Sequence, residues 1–370
     1  MVELNEFQRR DVALEGSYDG SSAPRILRAP VPVRRPVRMH ATPAKPAASG
    51  LSRILWPYVQ MARLDHWFKN AFMLPGVVFA VAHRPELLSV HSAARAMYAL
   101  TVACLLASSN YVLNEYLDGP LDRLHPTKRW RPAARGLVKG WAALLIWGAL
   151  GALGVSAGIA LNSSFGAVAF LFWMMACAYN IPPVRTKDIA YIDVLSESAN
   201  NPLRLFLGWF ALIPDVMPPL SLGIAYWMVG AFFMAAKRYA EYRQIDDPEV
   251  ASSYRPSFRH YDDARLMASM FFYMAVGSVF AGVFLLRYKL ELVLFVPPVA
   301  AFLAYYALIA MRTDSPVQNP EKLYRERGVL VAALVVLIAF ITLMSVDIPV
   351  LYEVFNVLQP NDAQLWTIQK

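Results

Sequence analysis

The feature that most constrains this chain is a series of apolar runs, each long enough to cross a lipid bilayer. We count nine such runs, at about 67–82, 92–116, 138–161, 165–181, 189–213, 220–236, 266–286, 290–311 and 329–346. Runs of roughly 16 to 24 residues match the hydrocarbon thickness at about 1.5 Å of rise per residue. Because lipid offers no partner to backbone polar groups, each run is predicted to be a helix. The sequence therefore predicts an all-α membrane protein with nine transmembrane helices.

Basic residues set the predicted orientation of this bundle. If the N-terminus is cytoplasmic, the loops after the second, fourth, sixth and eighth runs are cytoplasmic too, and they contain most of the loop arginine and lysine. The opposite loops contain little beyond Arg84, Arg287 and Lys289. This asymmetry follows the positive-inside rule and predicts a cytoplasmic-membrane protein with its C-terminus outside. Since topology accounts for the net charge of +8, no nucleic-acid binding is predicted.

The chain is predicted to have one transmembrane domain, 51–346, with a segment on either side. Residues 1–50 are rich in proline, arginine and alanine, as is typical of a disordered arm, here cytoplasmic. Residues 51–66 have the apolar spacing of an amphipathic helix lying in the membrane interface. The charged loop at about 237–265 is expected to form a short helical cap, and the polar tail 347–370 to lie outside the lipid.

A group of polar residues stands at the end of the second run. Asn114, Asp118 and Asp122 are spaced by four residues, so they lie on one side of a helix. Such groups are costly at a membrane boundary unless they bind something, and these oxygen ligands suit Mg²⁺ shared with phosphate. A basic cluster follows that would bind the remaining phosphate oxygens, namely Lys128, Arg129 and Arg131. The alternative is a helix end with a solvated basic loop.

The fifth run contains a polar stripe that is expected to face the bundle interior. Its members recur at helical spacing and are Asp193, Glu197, Asn200, Asn201 and Arg204. A tight charged loop precedes it and contains Tyr179, Asn180, Arg185, Lys187 and Asp188. The alternative for the stripe is a salt bridge that only holds helices together, for instance between Glu197 and Arg204.

Two further motifs stand at the ends of apolar runs. The sixth run ends in Lys237, Arg238 and Glu241, and the loop after it contains Arg255, Arg259 and Tyr261. A cationic helix end that extends its side chains to the interface is the alternative for this motif. Trp67, Lys69 and Asn70 open the first run, where an aromatic belt residue and an interfacial lysine are the simpler interpretation.

These motifs resemble those of the UbiA superfamily of intramembrane transferases over roughly residues 56–346. Asn114-x3-Asp118-x3-Asp122 has the form of the first aspartate-rich motif of that superfamily. Four runs are more specifically similar to its decaprenyl-phosphate phosphoribosyltransferases. They are Trp67-x-Lys69-Asn70, the stretch from Asp122 to Arg131, Asp193-Val194 with Arg204 eleven residues after Asp193, and Lys237-Arg238-x-Ala-Glu241 with the later run that ends at Tyr261.

The resemblance implies Mg²⁺-dependent glycosyl transfer in a polar cavity on the cytoplasmic side of a nine-helix UbiA-type bundle. Phosphoribosyl pyrophosphate would be the donor, a polyprenyl phosphate the acceptor, and pyrophosphate the leaving group. Asn114, Asp118 and Asp122 would hold Mg²⁺ on the pyrophosphate. Asp193, with Glu197 or Glu241, would stabilise positive charge at the anomeric carbon or orient ribose hydroxyls. The lipid phosphate is already anionic, so no strong general base is required.

The remaining predicted site residues are substrate contacts. Those expected to neutralise the donor phosphates are Lys128, Arg129, Arg131, Lys187, Lys237 and Arg238. Lys69 and Arg204 are the candidates for binding the acceptor phosphate. The other expected contacts are Asn70, Tyr179, Arg259 and Tyr261.

Two other functions fit parts of the sequence. An intramembrane prenyltransferase would use the same metal site to ionise a prenyl diphosphate, with an aromatic or lipid hydroxyl as the acceptor. The loop containing Pro182-Pro183 is similar to that of such enzymes. A transporter or channel would use the polar stripe as an ion path, but no inverted repeat of broken helices is evident and the charged clusters gather on one membrane face. Lipid chain length and a homo-oligomeric state are left open.

Overall fold

A computed structural model describes residues 50–123, 128–245, 248–312, 315–318, 323, 326–357 and 367–368. They all fall within one unit, Ala48–Lys370. The arm predicted at residues 1–50 lies outside the described residues except for Gly50, and so does most of the tail beyond residue 357. The regular secondary structure of the described residues is helical, apart from one isolated antiparallel bridge between Val216 and Thr367.

Thirteen α-helices are found in the described residues. They are α1 Gly50–Met61, α2 Leu74–His83, α3 Val90–Asp122, α4 Gly140–Leu161, α5 Ser163–Asn180, α6 Ile192–Ser198, α7 Asn200–Leu212, α8 Leu220–Ile245, α9 Pro248–Tyr254, α10 Asp263–Tyr288, α11 Val296–Ala310, α12 Arg327–Ser345 and α13 Pro349–Val354. Polar side chains begin several of them: Ser89, Asn162 and Asp262 each accept a hydrogen bond from a backbone N–H in the first turn of α3, α5 and α10.

Seven segments are long and apolar enough to span a membrane. They are α3, α4, α5, α8, α10, α12 and the stretch Leu290–Ala310 that contains α11. They coincide with seven of the nine predicted runs. Their outward faces carry many exposed leucine, isoleucine, valine and phenylalanine side chains, as expected of surfaces in lipid. The chain is therefore an integral membrane protein built as a helical bundle.

The first and fifth predicted runs are each broken into two helical pieces. The first consists of the 3-10 helix Leu64–Met73 followed by α2, and the fifth consists of α6 and α7 with Ala199 between them. In both cases a proline lies in the first turn of the second piece, Pro75 in α2 and Pro202 in α7. Proline has no N–H to donate to the preceding turn, so each break falls where a continuous helix would lose a hydrogen bond.

The two broken runs pack against each other with unusually close backbones. A Cβ added at Gly76 on α2 would overlap the Leu205 carbonyl on α7, and one added at Gly208 on α7 would overlap the Met73 carbonyl. Only glycine permits this approach in either direction. The contact fixes Asn70, just before α2, opposite the first turns of α7.

The predicted interfacial helix at 51–66 is shorter in the structure. It ends at Met61 because Arg63 adopts a left-handed backbone conformation, with φ of 49°. Its exposed side chains include Ile54, Leu55 and Trp56, which agrees with a helix lying in the membrane interface. The loop predicted at about 237–265 contains the short helix α9 and the 3-10 helix Pro256–His260, but its first residues continue α8 to Ile245.

Candidate active site

The end of α3 carries the predicted metal ligands on one face, and this face meets the end of α5. The Asn114 carboxamide donates to Asn180 Oδ1 at 2.7 Å, and the Lys187 ammonium donates to the same oxygen at 2.8 Å. Lys187 also donates to Asp118 Oδ1, which Arg185 reaches at 3.5 Å. The structure thus brings together three of the predicted residues, Asn114, Asp118 and Lys187.

Asp122, the third predicted ligand, is buried at the end of α3 and faces the basic loop. Its Oδ2 accepts a hydrogen bond from Arg131 Nη1 at 2.7 Å. Two turns earlier, the buried Glu115 accepts from the Ala133 N–H at 3.4 Å. These contacts hold the loop after α3 against the helix. We call the following group the carboxylate cluster: Asn114, Asp118, Asp122, Arg131, Asn180, Arg185 and Lys187.

The donor set of the carboxylate cluster fits a divalent cation that is shared with phosphate. Within the described ranges, no three His, Cys, Asp or Glu side chains are placed together to hold a metal ion by themselves. Two carboxylates and a carboxamide are instead a partial set of hard oxygen ligands, which Mg²⁺ completes with phosphate oxygens and water. The cations that pair with these carboxylates are also good partners for phosphate oxygens.

A second group of ion pairs surrounds Asp193 in the first turn of α6. Asp193 is fully buried, and its carboxylate accepts hydrogen bonds from Arg238, Ser257 and Tyr261 at 3.1, 3.3 and 2.7 Å. Arg255 Nε lies 3.4 Å from the same carboxylate. Four groups therefore occupy the Asp193 oxygens. This favours a positioning role for Asp193 over the direct contact with substrate that the sequence suggests.

Arg238 on α8 is the centre of this second group and is only 1% exposed. Its guanidinium pairs with three carboxylates, those of Asp193, Glu197 and Glu241. Tyr179 joins α5 to the same group, because its hydroxyl donates to Glu197 at 3.0 Å. We call the following group the arginine network: Tyr179, Asp193, Glu197, Arg238, Glu241, Arg255, Ser257 and Tyr261.

Two lysines connect the carboxylate cluster with the arginine network. The Lys187 ammonium lies 5.9 Å from the centre of the Tyr179 ring, and Lys128 pairs with Glu241 at 3.8 Å. Burial lowers the pKa of Lys128 to about 8, although the Glu241 carboxylate acts in the opposite direction. Burial also lowers the pKa of Lys187, against the effect of Asp118. The charge on both ammonium groups is therefore costly in the absence of a further anion.

A third group lies deeper in the bundle, around Arg204 in the second turn of α7. Arg204 Nε donates to Asn70 Oδ1 at 3.0 Å, and Nη1 donates to the Asn200 carbonyl at 3.4 Å. The guanidinium carbon lies 5.1 Å from the centre of the Phe172 ring, and Asn70 donates to Cys104 Sγ at 3.3 Å. Arg204 is 8% exposed, and no carboxylate of the described residues pairs with it.

The polar stripe predicted for the fifth run is divided by the break at Ala199. Asp193 and Glu197 on α6 belong to the arginine network, whereas Arg204 on α7 belongs to the deeper group. Glu197 pairs with Arg238 and not with Arg204, so the salt bridge that the sequence also allows does not form. A continuous helix was the wrong interpretation of this spacing.

Several predicted residues lie at the edge of these groups. Arg129 and Arg259 are exposed, and the structure places neither in the arginine network. Lys237 pairs loosely with Glu197 at 4.0 Å, and Lys69 is half-buried beside Asn70. Four residues of the carboxylate cluster and the arginine network are missing from the predicted site, namely Asn180, Arg185, Arg255 and Ser257. The first three stand inside motifs that the sequence marks as charged, whereas Ser257 carries no comparable signal.

The fold and the carboxylate-bearing helix end define an intramembrane transferase of a known family. A profile of the UbiA prenyltransferase family matches residues 71–325, and the chain belongs to this family. Among solved structures, a UbiA homolog from Archaeoglobus fulgidus bound to GPP and Mg²⁺ aligns with a TM-score of 0.58 at 20% identity, covering 78% of this chain and 100% of that one.

Curated relatives within the family are similar over part of their length. The decaprenyl-phosphate phosphoribosyltransferase of Mycolicibacterium smegmatis is 30% identical over 227 residues, which are 60% of this chain and 68% of that protein. The enzyme of the same name from Mycobacterium tuberculosis is 29% identical over 184 residues, or 50% of this chain and 59% of that protein. These comparisons confirm the resemblance that the sequence motifs carry.

Proposed function

We propose that this protein transfers 5-phosphoribose from phosphoribosyl pyrophosphate to a polyprenyl phosphate and releases pyrophosphate. The observation that carries the proposal is the arginine network beside the carboxylate cluster. A prenyl diphosphate would need an apolar channel next to its diphosphate, whereas Tyr179, Glu197, Arg238 and Arg255 offer ionic and hydrogen-bonding groups there. Such surroundings suit a phosphorylated sugar. The names of the mycobacterial relatives support the same donor.

The carboxylate cluster would hold the pyrophosphate end of the donor. Asn114, Asp118 and Asp122 would bind Mg²⁺, which when present supplies positive charge to the leaving pyrophosphate. Lys187 and Arg131 would move from the carboxylates onto phosphate oxygens, since both already lie within hydrogen-bonding distance of these ligands.

The arginine network would orient the rest of the donor. Lys128 and Lys237 line its less buried side and would bind the 5-phosphate, while Asp193 holds Arg238 and Tyr261 in place from behind. An oxygen of the lipid phosphate attacks the anomeric carbon and forms the new C–O bond. The bond to pyrophosphate breaks, and the pyrophosphate leaves with the electron pair. Preorganised cations stabilise the charge that develops on the leaving group.

The same proposal includes the topology. Nine membrane crossings result if the two broken runs also cross, and the positive-inside rule then puts both polar groups in a cavity on the cytoplasmic side. Phosphoribosyl pyrophosphate is a water-soluble cytoplasmic metabolite, so this side is where the donor is available. The acceptor would enter from the bilayer.

A direct test compares the two donor classes. Purified protein with Mg²⁺ is incubated with phosphoribosyl pyrophosphate and polyprenyl phosphate, and separately with a series of prenyl diphosphates and hydroxyl acceptors. We expect pyrophosphate release and a phosphoribosylated lipid only in the first mixture. Release only in the second mixture would overturn the proposed donor and support the prenyltransferase alternative.

A further inference from the structure

Arg204 is a buried cation that no carboxylate in the described ranges neutralises. Its neighbours supply two neutral acceptors, the Asn70 side chain and the Asn200 carbonyl, and one aromatic ring. Nη2 has no hydrogen-bond partner among the described residues. An ionised group inside a membrane bundle is costly, and normally pairs with an opposite charge or lies on a substrate path. Within the part of the chain that the structure describes, Arg204 therefore lacks the anion that its position requires.

The position of Arg204 relative to the carboxylate cluster can be read along two helices. On α3, Cys104 contacts Asn70 and Asn114 contacts Asn180, and ten residues of helix correspond to about 15 Å. On α5, eight residues separate Phe172, under Arg204, from Asn180, or about 12 Å. Arg204 thus lies well below the metal ligands, too far from them for one phosphate group to contact both.

We infer that Arg204 and Asn70 form the site that binds the phosphate group of the lipid acceptor, separate from the metal-dependent donor site. This inference rests on the proposed function and assigns its acceptor subsite. Arg204 Nη2 offers charge-assisted hydrogen bonds to a phosphate oxygen, and the hydrogen bond from Nε to the Asn70 side-chain oxygen holds the guanidinium in place. The buried Phe172 ring lies against the guanidinium and helps to hold it in position.

The sharpest variant is Asn70→Asp, because it keeps the shape and the hydrogen bond to Arg204 and replaces only the amide that donates to Cys104 with a carboxylate oxygen. An internal ion pair would then satisfy Arg204 and compete with the lipid phosphate. We expect at least about 30-fold weaker binding of farnesyl phosphate, measured by calorimetry on the full chain in detergent, with unchanged thermal stability. Arg204→Gln should give a similar loss. A purely structural Arg204 would leave binding unaffected by Asn70→Asp.

Arg95→Gln is the matched control, since Arg95 Nε donates to the Ala211 carbonyl at the other end of α7. It should leave farnesyl phosphate binding unchanged. Farnesol and inorganic phosphate serve as the neutral-lipid and free-anion probes, and both should bind much more weakly than farnesyl phosphate. If inorganic phosphate competes equally well, the site recognises a free anion and the lipid assignment is wrong.

The same variants separate this inference from the proposed function. If wild-type protein binds farnesyl phosphate through Arg204 but releases no pyrophosphate from phosphoribosyl pyrophosphate, the donor is wrong and the acceptor site stands. If Asn70→Asp weakens phosphoribosyl pyrophosphate binding and spares farnesyl phosphate, Arg204 binds the donor and the inference is overturned.

Discussion

Arg238 and Arg204 are both buried arginines on helices of the bundle, and they differ in what surrounds them. Arg238 pairs with three carboxylates, whereas Arg204 pairs with none in the described part of the chain. Acidic partners hold a buried cation in a fixed position, and its removal leaves their charges uncompensated. A buried cation without such partners can be completed by an anionic ligand, which is the role inferred above for Arg204. The same residue type thus has two different roles in one bundle.

Removal of Arg238 should have the largest effect on the stability of the protein. Arg238→Gln leaves Asp193, Glu197 and Glu241 partly uncompensated, and breaking a buried ion pair in this way costs about 3–5 kcal/mol. We expect a lower unfolding temperature in detergent together with loss of activity. Arg204→Gln is the comparison and should lose lipid-phosphate binding while unfolding near the wild-type temperature. Equal thermal stability of the two variants would remove the distinction between them.

Carboxylates can be compared in the same way. Asp118→Ala and Asp122→Ala should each lower kcat by about 10³-fold or more, because the predicted metal would lose a ligand, while the protein remains folded. Asp193→Ala should instead destabilise the protein, since it removes the carboxylate that pairs with both Arg238 and Arg255. Circular dichroism during heating and pyrophosphate release separate the two outcomes. Full activity of both α3 variants would contradict the metal-site assignment.

The close contact of the two broken runs allows a test of the Arg204 group that does not involve the arginine network. Gly208→Ala places a methyl group against the Met73 carbonyl, and overpacking of this kind typically costs about 1–3 kcal/mol. We expect weaker farnesyl phosphate binding because Asn70 and Arg204 shift apart. Gly282→Ala on α10 is the control, as nothing lies within 4 Å of the added carbon. Unchanged lipid binding in Gly208→Ala would show that the contact does not set the Asn70–Arg204 distance.

The smallest effect concerns Lys128 and pH. With a pKa of about 8, Lys128 is cationic below that pH and becomes neutral above it. The KM for phosphoribosyl pyrophosphate should therefore rise several-fold between pH 7 and pH 9. Lys128→Arg keeps its charge over this range and should flatten the profile. Identical profiles for both proteins would exclude Lys128 from donor binding.

Much of the helical framework could be predicted, because a helix that crosses a bilayer needs a long apolar run and such runs are visible in the sequence. Seven predicted runs match long helices, and the α3 motif lies where its spacing places it. The breaks in the other two runs were missed, although Pro75 and Pro202 mark them, because hydropathy alone does not register a lost hydrogen bond.

The partners of each charge were harder to predict. Spacing on one helix shows which residues share a face, but Glu197 selects Arg238 over Arg204 only because of the turn at Ala199 and the arrival of α8. Ser257 joins Asp193 through a loop whose path no local pattern specifies.

The backbone contact at Gly76 and Gly208 also implies that the two broken runs move together as one rigid body. Neither can tilt in the bilayer without carrying the other along, since no flexible side chain lies between them to absorb the movement. Changes in membrane thickness or tension would therefore move Asn70 and Arg204 together and leave the gap between them intact. Two glycines that carry no functional group thus preserve the geometry of the proposed lipid-phosphate site when the surrounding bilayer changes.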